Sequence, residues 1–230
     1  MSISKRSVTI GVVVLIAFAA IGFVLLSRKA SSQFATEFTA YEKLAAVQET
    51  AAYTPAAEDN PVRQQLNVSL SETLQPSISA TDRLKDARQG LSLLSQLEKQ
   101  VDAIGDSSDP ANAALAKMQV EMLNDLSVSD SAKSLLSLAK QRSDIIEDIR
   151  GLSYRSDFET QKIFDRIVDD KGVLTPAYIA ELNNDIPSVE ADFDHRSQLY
   201  TQLTQLSTQV DQGAEQLGIQ LPVSTSSVPQ

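Results

Sequence analysis

The sequence predicts an all-α protein: an N-terminal transmembrane helix followed by an elongated antiparallel helical bundle of about four long helices and one short one. Three observations carry this prediction. Ser7 to Leu26 is a run of roughly twenty residues without a charge, opened by Lys5 and Arg6 and closed by Arg28 and Lys29. Beyond it, leucine, isoleucine and alanine recur at three-and-four spacing through several long segments with short, capped connections. No stretch alternates Val, Ile and Thr with polar residues as a strand would.

The first element is the anchor. At about 1.5 Å rise per residue the apolar run covers about 30 Å, the thickness of a bilayer's hydrocarbon core. Lys5, Arg6, Arg28 and Lys29 flank it, placed to reach headgroups on either side. The chain divides into a short basic tail (1–7), a membrane helix (8–27), a bundle domain (31–218) and a disordered tail (219–230) rich in Ser, Val and Pro. Ala17 and Ala19 supply small residues at signal-peptidase spacing, but the apolar run continues past them to Leu26, so an uncleaved signal-anchor is expected rather than a cleaved signal. A pilin-like export signal needs a Gly before its cleavage point and a Glu five residues on; Ser7 and Val12 stand there instead. The cations on the two sides nearly balance. A short basic tail before an apolar run favours a domain outside the cytoplasm; a cytoplasmic domain tethered by its N-terminus is the alternative. Ser7 and Gly11 form a small-xxx-small pair able to seat a second helix.

Phe34, Phe38, Tyr41, Leu44 and Gln48 predict a first helix to Tyr53, broken by Pro55 and Pro61. Asn60 caps a second, with Pro61 in its first turn, carrying Leu66, Leu70 and Leu74 and, past a kink at Pro76, Leu84 to Ile104; Gly105 to Ser108 is expected to end it. Asp109 and Pro110 then start a short helix with Leu115, Met118, Met122 and Leu126 on one stripe. Ser129 or Asp130 caps a long helix through Leu135, Leu138, Ile145, Ile149 and Leu152 to Phe164 and Val168, stopped at Lys171 and Gly172. Thr175 and Pro176 open the last, from Ile179 to Leu217, with Pro187 as a second candidate kink. Gly90 and Gly151 lie inside helices, marking either tolerated surface positions or, as the alternative, close helix contact or a hinge. The runs Leu94 to Asp102 and Leu203 to Asp211 agree at six of nine positions. Shared Leu and Gln usage in coiled-coil-like helices explains that echo more simply than a duplicated hairpin.

The formal charge of −10 conceals an asymmetry: residues 1–30 hold four cations and no acid, so residues 31–230 carry 16 Lys and Arg against 30 Asp and Glu. A domain at −14 repels phosphate backbones and anionic headgroups, which excludes nucleic acid as an expected partner. The chain has no cysteine, and so no disulfide framework or thiolate chemistry.

Catalytic patterns are missing. His195 is the single histidine, among Glu190, Asp192 and Asp194, with no second histidine to complete a ligand set; a solvated acidic face is the expected reading. Asp169, Asp170 and Gly172 fail calcium-loop spacing, because Ile167 and Tyr178 would fall at the first and twelfth positions. There is no Gly-x-Ser-x-Gly elbow and no glycine-rich phosphate loop. Asn67 to Ser69 is a lone glycosylation sequon.

No catalytic, cofactor-binding or metal site is therefore expected. The sequence predicts a single-pass membrane protein that meets lipid through its anchor and acts through protein contacts or self-association of its helices, as scaffold, adaptor or spacer at the cell envelope. The alternative is an extracytoplasmic ligand-sensing bundle, which resembles the helical domains of bacterial receptors in fold alone and would need a separate transducer; a secreted bundle results if the signal is cleaved.

Overall fold

The structure, a computed structural model, describes residues 31 to 221 except residues 58, 123, 124, 126 and 127 and the side chains of residues 185 to 190 and 193. The expected membrane helix 8–27, its flanks Lys5, Arg6, Arg28 and Lys29, and the tail from residue 222 lie outside the described residues. Within them no helix is long and apolar enough to cross a membrane.

The described chain is helical with no strand. Helix α1 covers residues 31–53 and passes through a 3-10 turn at Thr54–Ala56 into α2 (Pro61–Thr73), followed by α3 (Ala80–Met122), α4 (Asp130–Asp169) and α5 (Pro176–Gln216). Helices α3, α4 and α5 have 43, 40 and 41 residues, each about 60 Å long. They run antiparallel, and α1 and α2 run end to end along the same length to complete a four-membered bundle. Amphipathic helices of this length are stable only by sharing a buried stripe, and they do so in three stacked apolar clusters.

The upper cluster joins Phe34, Phe38 and Tyr41 of α1 to Leu115 and Met118 of α3, Leu135 and Leu136 of α4, and Val210 and Ala214 of α5. The middle one joins Ala52, Val101, Ile104, Ile146, Ile149, Leu199 and Leu203. In the lower cluster α2 takes the place of α1, packing Leu66 against Leu94, Leu97, Phe164, Ile167 and Tyr178.

The caps are those the sequence signals. Asn60 Oδ1 accepts from the Val62 and Arg63 amides, Ser129 Oγ from Ala132 and Thr175 Oγ1 from Tyr178. Helix α4 stops at Asp170, where Lys171 and Gly172 turn left-handed and the Gly172 amide reaches back to the Ile167 carbonyl at 2.8 Å. Gly172 admits no side chain, because a Cβ there would collide with the Ala80 carbonyl.

Two boundaries differ from expectation. Pro76 separates two helices rather than kinking one: α2 ends at Thr73 and α3 begins at Ala80, where Ser79 Oγ caps the Asp82 amide. Conversely, Gly105 to Ser108 does not end a helix and Asp109 with Pro110 does not start one; α3 runs through all of them to Met122. The buried positions Val101, Ile104, Ser108, Ala111, Leu115 and Met118 keep three-and-four spacing across the segment, so packing on three neighbours outweighs the weak local propensity. The short helix is thus α2 rather than a segment after Pro110. Pro187 lies within the continuous α5. Ile219 and Leu221, expected in the tail, pack against the upper cluster.

Candidate functional site

The polar chemistry of the bundle is concentrated where the apolar clusters meet. Between the upper and middle clusters, Arg142 of α4 is 3% exposed and points its guanidinium at α1. Its Nη2 donates to Glu42 Oε1 at 2.6 Å and its Nη1 stands 4.0 Å from Glu49 Oε2, while the Tyr41 ring lies 5.8 Å below. Glu49 Oε1 accepts from Ser207 of α5 at 2.9 Å. Gln48 Nε2 donates to Ser108 of α3 at 2.9 Å and to Ser143 of α4 at 3.4 Å, and Ser143 in turn donates to Asn112. All four members of the bundle therefore meet in one hydrogen-bonded layer.

Burial raises the carboxyl pKa of Glu42 and of Glu49, each partly offset by Arg142; Asp211 of α5, at the exposed edge and within electrostatic reach of Arg142, is raised in the same way. The carboxylates keep Arg142 charged despite its burial. Gln48 Oε1 is buried with no hydrogen-bond partner among the described residues.

A second layer separates the middle and lower clusters. Arg63 of α2 pairs with Asp157 of α4 at 3.4 Å, and buried Arg196 of α5 faces both, so two guanidiniums surround one carboxylate. Burial raises the Asp157 pKa and, with Arg63 alongside, lowers that of Arg196. Arg63 Nη2 and Asp157 Oδ2 are buried without hydrogen-bond partners among the described residues. Tyr200 stacks on Tyr53 at 5.4 Å and donates to the Ala52 carbonyl at 2.9 Å; burial pushes its phenol up to about 12.

Two clefts open beside these layers. One, of about 540 Å³, lies between α1 and α3 and is lined mainly by Ala46, Val47, Thr50, Ala51 and Ala103. The other, of about 770 Å³, lies between α3 and α4, where Leu91, Leu94, Tyr154 and the exposed Phe158 surround Glu98 and Asp157.

The residues weighed from the sequence do not assemble into a centre. His195 is exposed, and Asp192 beside it pairs with Arg155 at 2.9 Å. Among the described residues no group of three or more acids and histidines is arranged to hold a metal. Asp170 is engaged by Arg166 at 2.9 Å at the end of α4. In the sequon, Ser69 is buried and donates to the Asp86 carbonyl at 2.7 Å.

What sequence reasoning missed is the set of buried charges, Glu42, Glu49, Arg83, Arg142, Asp157 and Arg196, with half-buried Arg63 beside Asp157. A signal was present. Leu135, Ala139, Arg142, Ile146 and Ile149 keep an unbroken three-and-four spacing, which places Arg142 on the buried stripe.

No family model, curated protein or solved structure matches this chain.

Proposed function

We propose that this chain is a non-enzymatic, single-pass membrane protein that holds an elongated helical bundle at the cell envelope, outside the cytoplasm, and acts through protein contacts as scaffold, adaptor or spacer. The observation that supports this reading best is the placement of the two ends of the bundle domain. Ser31, Phe34, Val128 and Ile219 line one small cavity at the upper end of the bundle, so the chain enters and leaves at that end. A membrane helix at 8–27, flanked by Lys5, Arg6, Arg28 and Lys29, joins the bundle there and leaves the α2–α3 and α4–α5 loops about 60 Å away, free to meet a partner. Glu42 and Glu49 are engaged by Arg142 and Ser207 inside the bundle, which suits a structural role better than proton transfer to a substrate.

Protease treatment of intact cells and of inside-out membranes, read by mass, tests the proposal. Digestion of residues 31 to 221 from the outside alone, with residues 1 to 19 retained, supports it. Digestion from the cytoplasmic side alone overturns the topology, and loss of the N-terminus makes the protein a secreted bundle.

The α3–α4 cleft favours the second reading, a ligand-sensing bundle. Its volume suits a small molecule, and Asp157 links its floor to the lower charged layer. Saturable binding of a small ligand, abolished by Phe158→Ala, would favour this reading over the first.

A further inference from the structure

The buried face of α1 changes character at Tyr41. Above it stand Phe34 and Phe38; below it the buried residues are Glu42, Ala45, Gln48, Glu49 and Ala52. Ala45 and Ala52 supply little apolar area, and Leu44 and Ala51 are only partly buried against the upper and middle clusters, so from residue 42 to residue 51 the helix is held by the polar layer together with light hydrophobic packing. On the other flank of this stretch lies the 540 Å³ cleft toward α3. The stretch is bounded by fixed points, the Phe34, Phe38 and Tyr41 rings above and the Tyr53–Tyr200 stack below.

The groups facing Arg142 are unbalanced. Helix α1 contributes Glu42, Glu49 and the Tyr41 phenol and α5 contributes Asp211, while the uncharged Ser207, Ser108 and Asn112 join the layer through Glu49, Gln48 and Ser143. On α4 the neighbouring charged pair, Lys140 with Asp144, is directed to solvent. Three carboxylates against one guanidinium leave an excess of negative charge if all ionise. Glu42 and Glu49 are buried, so the repulsion between them is poorly screened, while Asp211 at the exposed edge adds a partly screened third charge.

We propose that the Arg142 layer is a proton-operated latch: residues 42 to 51 of α1 stay docked while the carboxylates facing Arg142 share a proton, and open locally as that proton leaves. Glu42 keeps its bond to Arg142 in both states. Glu49 and Asp211 are the groups whose ionisation adds uncompensated charge, and this sets the direction: docking is tightest while they are protonated and loosens as pH rises. The opening faces the α1–α3 cleft, so the latch controls access to that face of the bundle.

Hydrogen exchange on the full chain, read by mass between pH 5.5 and 8.5 and corrected for intrinsic rates, tests the latch. Peptides within 42–51 should lose protection about tenfold across this range, while the α3, α4 and α5 cores stay constant. The Glu49→Gln/Asp211→Asn variant should hold constant protection in 42–51 throughout. Asp211→Asn alone, at an exposed position, should move the opening to higher pH and serves if the double variant does not fold. No pH dependence in the wild type, an equal loss spread over α3 to α5, or an unchanged profile in whichever variant folds overturns the proposal.

Discussion

The Phe164 ring occupies the space that a side chain on Gly90 would need: a Cβ built on Gly90 falls within the ring's van der Waals envelope. The glycine lets α3 and α4 approach closely in the lower cluster, where Phe164 is fully buried. Gly90→Ala should therefore destabilise by about 1–3 kcal/mol despite its better helix propensity, because a rigid ring in a packed core has nowhere to move. Gly151, with nothing within 4 Å of its built Cβ, makes the opposite case. Gly151→Ala should stabilise by roughly 0.5–1 kcal/mol. Chemical denaturation of the two variants checks both signs.

Removing Arg142 leaves Glu42 and Glu49 buried without a cation. Arg142→Met should cost about 3–5 kcal/mol at pH 7.5, the usual penalty for breaking a buried pair. The loss should shrink at pH 5. Both carboxyls already sit above their ordinary pKa through burial, and without the guanidinium they rise further. A raised folded-state pKa contributes stability that is full below the unfolded value, near 4, and lost as pH rises through the folded value. Urea denaturation at the two pH values measures the difference; an equal loss at both would mean the carboxylates do not respond to Arg142.

The fold was legible where side chains terminate helices and illegible where packing overrides them. Asn60, Ser129, Thr175 and Gly172 each act locally, and each marks the helix end that its residue type signals. Pro76 and Pro110 are chemically alike but structurally opposite, because their packing environments differ. Beyond Pro76 the buried Arg83 draws the chain into a loop, whereas around Pro110 the stripe from Ile104 through Ser108 and Ala111 to Leu115 holds the helix straight through. The charged layers were missed for a related reason: Arg142, Gln48 and Arg196 sit on hydrophobic stripes, and attention to apolar residues alone passes over the polar ones in phase with them.

Arg83 closes the lower end of the bundle through backbone carbonyls alone. Its Nε donates to the Thr73 carbonyl at 3.0 Å, Nη1 to Gly172 at 2.8 Å, and Nη2 to Gln75 at 2.8 Å and Ile78 at 3.2 Å. One planar guanidinium thus ties the α2–α3 loop to the α4–α5 loop. Lysine, a point charge with no fork, cannot span the same four acceptors. Arg83→Lys should cost about 1–3 kcal/mol by leaving buried carbonyls unsatisfied, and limited proteolysis should shift to residues 74–79 and 170–175.

Pro110 gives a prediction whose sign discriminates between two architectures. Inside α3 it offers no amide to the Asp106 carbonyl and its ring crowds that carbonyl, a combination that costs about 3 kcal/mol in a helix interior. The residue is exposed, so its ring adds little to the core. Pro110→Ala should therefore stabilise the bundle by about 1–3 kcal/mol, raising Tm by roughly 2–4 °C per kcal/mol for a domain of this size. Had the chain broken at Gly105 to Ser108 and restarted at Pro110, the proline would occupy a favourable first-turn position, and the same substitution would be neutral or harmful. Thermal unfolding of Pro110→Ala separates the two: a rise in Tm requires the continuous helix, and a fall would place a helix boundary at Asp109.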